Sequence, residues 1–330
     1  MIERWEGAEM QDRGKRLGVA LGGGGLRGFA HIGVLQVLED KRIPISYLSG
    51  TSAGALVAAL YASGLSAYRI EELARSLQPS DYLDYNISGL FKYILSRYLP
   101  GMDAPLQGII KGDKIQKIIY QWTGGKSLQD CKLPLAIIAC DIDSGREVVF
   151  TNQNLEWKTG ETVVVQDALL SEAVRASIAI PATFVPLDLA GMQLVDGGLK
   201  SIVPVTAQKV MGAEYIMAVN LGTSYYREKV AGIPSIISRS ISILTYETSE
   251  TEQRLFADLV IKPRVQSVGL DDWEEALGFI RAGRRAMLRQ VEKLEKDLYS
   301  GPYCNRNTAE HIYYRQSNKC QQSLRRRGGG

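Results

Sequence analysis

Apolar residues follow two different periods in the first sixty positions of this chain. Residues 17–21 (L-G-V-A-L) form a continuous apolar run ended by glycines, which predicts a buried strand. Between residues 27 and 40, Phe29, Ile32, Val34, Leu35 and Leu38 recur at helical spacing. Tyr47 and Leu48 predict a second short strand running into Gly50, and residues 53–61 continue as a helix of small apolar residues. The succession is strand, glycine loop, helix, strand, turn, helix, and it predicts a parallel sheet with helices on its faces.

The same patterns continue along the chain. Residues 133–140 and 147–151 predict two strands joined by a turn at Asp143, Ser144 and Gly145. Residues 171–176 predict a short helix ended near Pro181, and residues 193–195 a brief strand leading into Asp196. A buried strand is expected at 215–220 and a last one at 259–262, followed by one helix over about 272–298. Residues 1–15 read as a polar leader, 16–299 as one domain, and 300–330, ending in three arginines and three glycines, as a flexible polar tail.

Composition narrows the function classes. The chain of 330 residues is 45% hydrophobic and 23% charged, a globular balance with enough length for a substantial core. A formal charge of +3 without a basic stripe argues against a nucleic-acid partner. The longest strongly apolar runs, 55–60 and 133–139, fall far short of a bilayer span, and the first residues lack a signal peptide's basic start and apolar core. The expectation is a cytoplasmic protein with any membrane contact peripheral. Cys131, Cys140, Cys304 and Cys320 have neither metal-type spacing nor the density of a disulfide scaffold, and Cys131 and Cys140 bracket an apolar run as core residues do. No feature of the sequence bears on oligomeric state.

Three stretches carry chemistry. In residues 50–54 (G-T-S-A-G), Ser52 stands between Gly50 and Gly54 at a strand-to-helix junction. A tight turn there exposes a serine hydroxyl as a nucleophile, although a serine that merely caps the helix fits the spacing too. In residues 22–28 (G-G-G-G-L-R-G), Gly23, Gly25 and Gly28 match G-x-G-x-x-G, a dinucleotide-binding pattern. No acidic residue stands where a ribose would need one, since Glu39 and Asp40 end the helix instead, and no phosphate-loop lysine follows. The other reading is an oxyanion hole built from the N–H groups of Gly23, Gly24 and Gly25. Arg27 either steadies this loop, meets an anionic head group, or is a solvated first-turn residue.

A serine nucleophile needs a base. His31 falls among helix residues that read as packing, and His311 lies in the tail. Asp196, at a strand end before Gly197 and Gly198 (D-G-G), is the better candidate, because a partly buried carboxylate has its pKa raised toward a useful range. An ordinary Asp-Gly turn accounts for Asp196 equally well when taken alone.

The ordered set G-G-G-G-L-R-G, G-T-S-A-G and D-G-G resembles the patatin-like phospholipase family, especially its bacterial single-domain members. Residues 28–35 (G-F-A-H-I-G-V-L), 139–146 (A-C-D-I-D-S-G-R) and 173–186 (A-V-R-A-S-I-A-I-P-A-T-F-V-P) agree with it. The resemblance covers most of residues 16 to about 288. It implies a three-layer α/β/α sandwich with a mostly parallel central sheet, and acyl-ester hydrolysis of lipids through an acyl-serine. In that scheme Ser52 is the nucleophile, Asp196 the base of a Ser–Asp dyad, and the glycine loop the oxyanion hole, while Gly28, Arg27, Gly50, Gly54, Gly197 and Gly198 support them. Residues 199–202 (L-K-S-I) depart from the asparagine-containing run expected after D-G-G. No metal or organic cofactor is implied, and no acidic loop has calcium-ligand spacing. A lipid-binding or regulatory protein of the same fold with little turnover, and a nucleotide-binding module using the glycine loop, are the competing readings.

Two segments bear on access. Residues 85–99, with Leu90, Phe91, Tyr93, Ile94, Leu95, Tyr98 and Leu99 punctuated by Lys92 and Arg97, fit a lid or interfacial helix. The pattern leans toward a helix packed on the core. Residues 233–244, with Ile236, Ile237, Ile241 and Ile243, raise the same alternatives.

Overall fold

The computed structural model describes residues 14–99, 105–155, 161–222, 229–266 and 272–299. Most of the expected leader, the tail from residue 300, His311, Cys304 and Cys320 lie outside them. The chain opens with β1 (Leu17–Leu21), a 3-10 turn (Gly25–Gly28), α1 (Phe29–Asp40), β2 (Tyr47–Thr51) and α2 (Ala53–Ala62), the expected βαβα succession. Next come α3 (Ala67–Arg75), α4 (Pro79–Tyr82), α5 (Ile87–Ser96), β3 (Gly108–Ile110) and α6 (Asp113–Thr123). The middle holds β4 (Leu135–Asp141), β5 (Glu147–Thr151), β6 (Thr162–Val165), α7 (Leu170–Ser177), β7 (Ala182–Phe184), β8 (Leu187–Leu189) and β9 (Met192–Asp196). The chain then runs through α8 (Val205–Met211), β10 (Tyr215–Val219), α9 (Ile233–Phe256), β11 (Leu259–Ile261), α10 (Trp273–Leu288) and α11 (Val291–Tyr299).

The central sheet has the order β11-β10-β1-β2-β4-β5-β6, with β9 on β4 and β8 on β9. Its β11, β10, β1, β2 and β4 run parallel, and β4–β5, β4–β9 and β8–β9 are antiparallel. Alternation along each strand divides the core between two faces. Leu17, Val19, Leu21, Leu48, Leu135, Ile137, Met217 and Val219 enter one cluster together with residues of α1, α2, α3 and α10. Their neighbours Ala20, Ile216 and Ala218 face α8 and α9 on the other side, and Ala136 and Ile138 join Ala207 and Met211 of α8 there. The result is a three-layer α/β/α sandwich.

Three local outcomes differ from the sequence-based expectations. The helix expected over 272–298 is two, because the chain turns at residues 289–290; this lets Met287 of α10 and Val291, Leu294 and Leu298 of α11 all be buried. Second, α5 is not a core helix: none of its residues is buried, and Ile87, Leu90, Phe91 and Ile94 are exposed. Third, α3 and α6, which the opening pattern did not yield, bury short stripes (Ala67, Ile70, Ala74 and Ile115, Ile119, Thr123) that are too sparse to stand out beside the apolar strands. Cys131 and Cys140 are buried free thiols, and burial pushes Cys131 up to about 11.

Candidate active site

One edge of β4 brings Ser52 and Asp196 together. Along that edge β2 pairs as far as Thr51 opposite Ile138, and β9 takes over at the next position, with Asp196 opposite Ala139. The residue that leaves β2 and the residue that ends β9 therefore become neighbours, although 144 positions separate them in sequence (196 − 52). The Ser52 hydroxyl lies near enough to the Asp196 carboxylate to hold its pKa down.

Ser52 occupies a backbone conformation, φ 54° and ψ −123°, that L-residues rarely adopt. It precedes α2, but its side chain caps none of that helix's N–H groups, so the capping alternative does not describe it. The flanking glycines are required by close approach. A Cβ on Gly50 would lie 2.4 Å from the Gly54 carbonyl oxygen, and one on Gly54 would lie 2.1 Å from that of Leu21. The turn is thereby pressed against both the start of α2 and the end of β1.

A buried serine that the motifs did not single out holds this turn. Ser177, at the end of α7, accepts the Ser52 N–H at 2.8 Å and donates its own proton to the Ile138 carbonyl at 2.5 Å. Ser177 is fully buried, so without it the Ser52 N–H would lose its partner away from water. Its only sequence signal is its place in the A-V-R-A-S stretch. Ser177→Ala is expected to lower kcat about 10- to 100-fold, the cost of a buried unpaired donor at Ser52, with little change in KM. Steady-state kinetics on a soluble ester check this; an unchanged kcat, or a loss confined to KM, would remove Ser177 from the turn's support.

Asp196 is buried, and its surroundings act on it in opposite directions. Burial raises its pKa to about 6, while the nearby Ser52 hydroxyl and the bond from the Gly198 N–H, at 2.7 Å to Oδ1, pull it down. Gly197 lies against β4, where a Cβ would meet the Ile138 carbonyl oxygen at 2.1 Å.

The glycine loop crosses directly over Ser52: a Cβ on Gly23 would be 3.2 Å from Ser52 Cβ. The Gly22 N–H donates to the Val219 carbonyl and the Gly23 N–H to the Ile202 carbonyl at 2.8 Å. Gly23, expected as an oxyanion donor, is therefore already bonded within the protein. Among the described residues no acceptor takes the N–H of Gly24 or Gly25. Arg27 clasps the Gly24 carbonyl through its own N–H at 3.2 Å and its Nε at 3.0 Å. In a trans peptide the C=O and the following N–H point opposite ways, so this clasp turns the Gly25 N–H outward from Arg27. Of the roles considered for Arg27, steadying the loop is the one its contacts describe.

Residues 199–202, where the chain departs from the family pattern, serve as a scaffold through backbone carbonyls. Ile202 holds Gly23, and Ser201 accepts the Thr51 hydroxyl at 2.7 Å. His31 is turned into the core and bonded to the glycine loop. It is fully buried, donates Nε2–H to the Gly22 carbonyl at 2.7 Å, and burial pushes it down to about 4, leaving it neutral. No group of three or more His, Cys, Asp or Glu side chains suited to a metal occurs among the described residues. Nor is any described helix long and apolar enough to cross a membrane.

Comparison with known proteins agrees with this architecture. Residues 19–207 match the family described as patatin-like phospholipase. An uncharacterized NTE family protein of Mycobacterium tuberculosis (strain H37Rv) is 29% identical over 234 residues, covering 71% of this chain and 57% of that protein. The lysophospholipase NTE1 of Yarrowia lipolytica is 28% identical over 210 residues, covering 64% of this chain and 13% of that protein. The chain thus spans little more than half the length of the mycobacterial relative and a small part of the yeast one. In three dimensions VipD from Legionella pneumophila has the same fold, with a TM-score of 0.50 at 14% identity over 85% of this chain and 67% of that one.

Proposed function

The chain belongs to the patatin-like phospholipase family, and from that premise we propose that it is a serine acyl-ester hydrolase of lipids working through a Ser52–Asp196 dyad. The observation that carries this reading is that Ser52, on a strained turn, lies beside a buried carboxylate with a pKa near 6. At neutral pH such a carboxylate is largely ionised, yet basic enough to take a proton in the transition state.

In the first step Ser52 Oγ attacks the acyl carbonyl while its proton passes to Asp196. Negative charge then develops on the carbonyl oxygen, where the N–H groups of Gly24 and Gly25 meet it, each donor lowering the barrier by about 3 kcal/mol. Asp196 returns the proton to the departing alkoxide, leaving an acyl-serine. Water, deprotonated by the same carboxylate, releases the fatty acid. Every proton is handled by one carboxylate, so the neutral, inward-facing His31 has no part in the cycle. Its bond to Gly22 supports the loop that carries the oxyanion donors.

The yeast relative is a lysophospholipase, which makes lysophospholipids the first natural substrates to try. A fluorophosphonate probe and p-nitrophenyl esters of graded chain length test the chemistry itself. The wild type should be labelled and should turn over esters, and Ser52→Ala should abolish labelling and cut turnover at least about 10^4-fold. Activity that survives in Ser52→Ala would end this assignment.

A further inference from the structure

Two helices of this molecule expose apolar stripes that its own core does not cover. On α5 and its flanks the exposed residues are Ile87, Leu90, Phe91, Ile94 and Tyr98, spaced three or four apart on one side of the helix, with Ile87 74% and Phe91 65% accessible. In the first half of α9, Ile233, Ile236, Ile237, Ile243 and Leu244 likewise fall on one side of the helix, the last 71% accessible. The second half of α9 behaves differently. It buries Ser249 and Gln253, and Glu250 bonds Asn220 and Lys262, which anchors the helix to the body.

Both helices attach to the same small sheet beside the candidate active site. The N-cap residue of α5, Asn86, donates its N–H to the Ile109 carbonyl and its Nδ2 to that of Gly108, both in β3. Strand β3 pairs in parallel with β7, and α9 packs on β7 and on the turn that follows Asp196 (Gly197–Leu199). Strand β7 starts three residues after Ala179, whose carbonyl accepts the Asp196 N–H at 2.9 Å. The stripes therefore belong to elements that converge on the strand end bearing Asp196.

Charge indicates what covers them. The chain carries 36 acidic residues against 39 basic ones, a near balance, yet residues 85–99 contain only Lys92 and Arg97 and residues 229–246 only Lys229 and Arg239. Exposed apolar side chains interleaved with an excess of positive charge, four cations against Glu247 one turn beyond Leu244, match an anionic lipid–water interface, where the side chains enter the acyl boundary and the cations meet head groups. We infer that α5 and the first half of α9 together form a docking surface for a lipid bilayer bearing anionic head groups, set beside the site so that substrate is drawn from that bilayer. The identity of the surface rests on the acyl-lipid reading of the site; its position rests on the exposed stripes.

Vesicle sedimentation with the full chain tests this, using phosphatidylcholine alone and phosphatidylcholine mixed with phosphatidylglycerol. The wild type should bind the mixed vesicles more tightly, and binding should weaken with salt. The double variants Phe91→Ser/Ile94→Ser and Ile236→Ser/Leu244→Ser should each lower the partition coefficient about tenfold or more, while hydrolysis of a short soluble ester stays at the wild-type rate. Leu95 is left in place because it turns partly inward. Lys92→Glu/Arg97→Glu, which keeps every apolar side chain of the stripe, should abolish the preference for anionic vesicles and covers the case in which an apolar variant fails to fold. Ser52→Ala should bind vesicles as the wild type does, so loss of the hydrolytic reading and loss of the docking surface give separate signals. Equal binding by wild type and all three double variants would overturn the inference. So would a wild-type dimer by light scattering that the same substitutions dissociate, since a second copy would then cover the stripes.

Discussion

Asp196→Asn is expected to lower turnover about a thousandfold, the usual contribution of a positioned general base, while making the protein more stable at neutral pH. Both effects come from one feature, a carboxylate held in a buried site. Asparagine keeps the shape and can still accept the Gly198 N–H, so the loop geometry should survive while the proton acceptor is lost. Burial has moved the carboxyl from its ordinary 3.8 to about 6 in the folded chain. Between those values the folded state holds a proton that the unfolded state has released. Folding stability attributable to this group is therefore fully present below about pH 3.8 and declines as pH rises through 6. Above pH 6 the ionised, buried carboxylate costs about 3 kcal/mol, from two pKa units at about 1.4 kcal/mol each. The asparagine variant avoids that cost. At pH 7 its thermal midpoint should lie about 5 °C above the wild type's, with the gap closing as pH falls toward 4.

The same pKa gives the wild type an acidic limb in kcat/KM near pH 6, falling tenfold per pH unit below it. A second carboxyl titrates close by. Glu252 on α9, within reach of the Ser201 hydroxyl at 3.3 Å, is raised to about 7 by burial and by the charge of Glu147. Glu252→Gln should leave the limb near pH 6 in place, because Glu252 reaches the site only through the 199–202 scaffold. If the limb disappears in Glu252→Gln, or if Asp196→Asn keeps wild-type turnover, then Asp196 is not the base.

Much of the sheet is legible in the sequence because its strands are buried on both faces. Residues 17–21 and 133–140 are apolar runs bounded by turn residues, and the structure places strands there at Leu17–Leu21 and Leu135–Asp141. The motifs locate Ser52, Asp196 and the glycine loop because each needs a residue type with a stated reason to be there. What the sequence does not reveal depends on pairing at long range. Nothing in it says that β2 ends at Thr51 just where β9 takes up the edge of β4. Ser177 is one serine among many until that edge exists, and only then does its hydroxyl lie between Ser52 and Ile138. Gly23 departs from its expected role as an oxyanion donor for a related reason. Its N–H partner, the Ile202 carbonyl, comes from a backbone almost 180 residues away (202 − 23). The sequence of α5 is apolar enough for a core, and burial alone could decide that it is not in one.

The largest loss of stability is expected from Gly33→Ala, which should destabilise the fold by about 3 kcal/mol even though alanine is the better helix former. Gly33 lies on α1 where that helix crosses α10. A Cβ there would stand 1.9 Å from the Ile280 carbonyl oxygen and 2.7 Å from the Arg284 nitrogen. The contact is reciprocal, since a Cβ on Gly283 of α10 would stand 1.8 Å from the Ala30 carbonyl oxygen of α1. All of these obstacles are backbone, so no rotamer change relieves them, and the helices would have to move apart by more than an ångström. Intrinsic propensity favours alanine over glycine by about 1 kcal/mol, which is too little to offset the separation. The same helix α10 offers a matched control. A Cβ on Gly278 would meet no atom within 4 Å, so Gly278→Ala should gain about 1 kcal/mol from propensity alone. Urea unfolding of the pair should therefore shift in opposite directions. Gly33→Ala should also lower turnover, because His31 rides on α1 two residues before Gly33 and holds the Gly22 carbonyl in the glycine loop. A Gly33→Ala protein with the wild-type midpoint would mean that α1 and α10 can separate freely, and that the close crossing does not fix the position of the glycine loop.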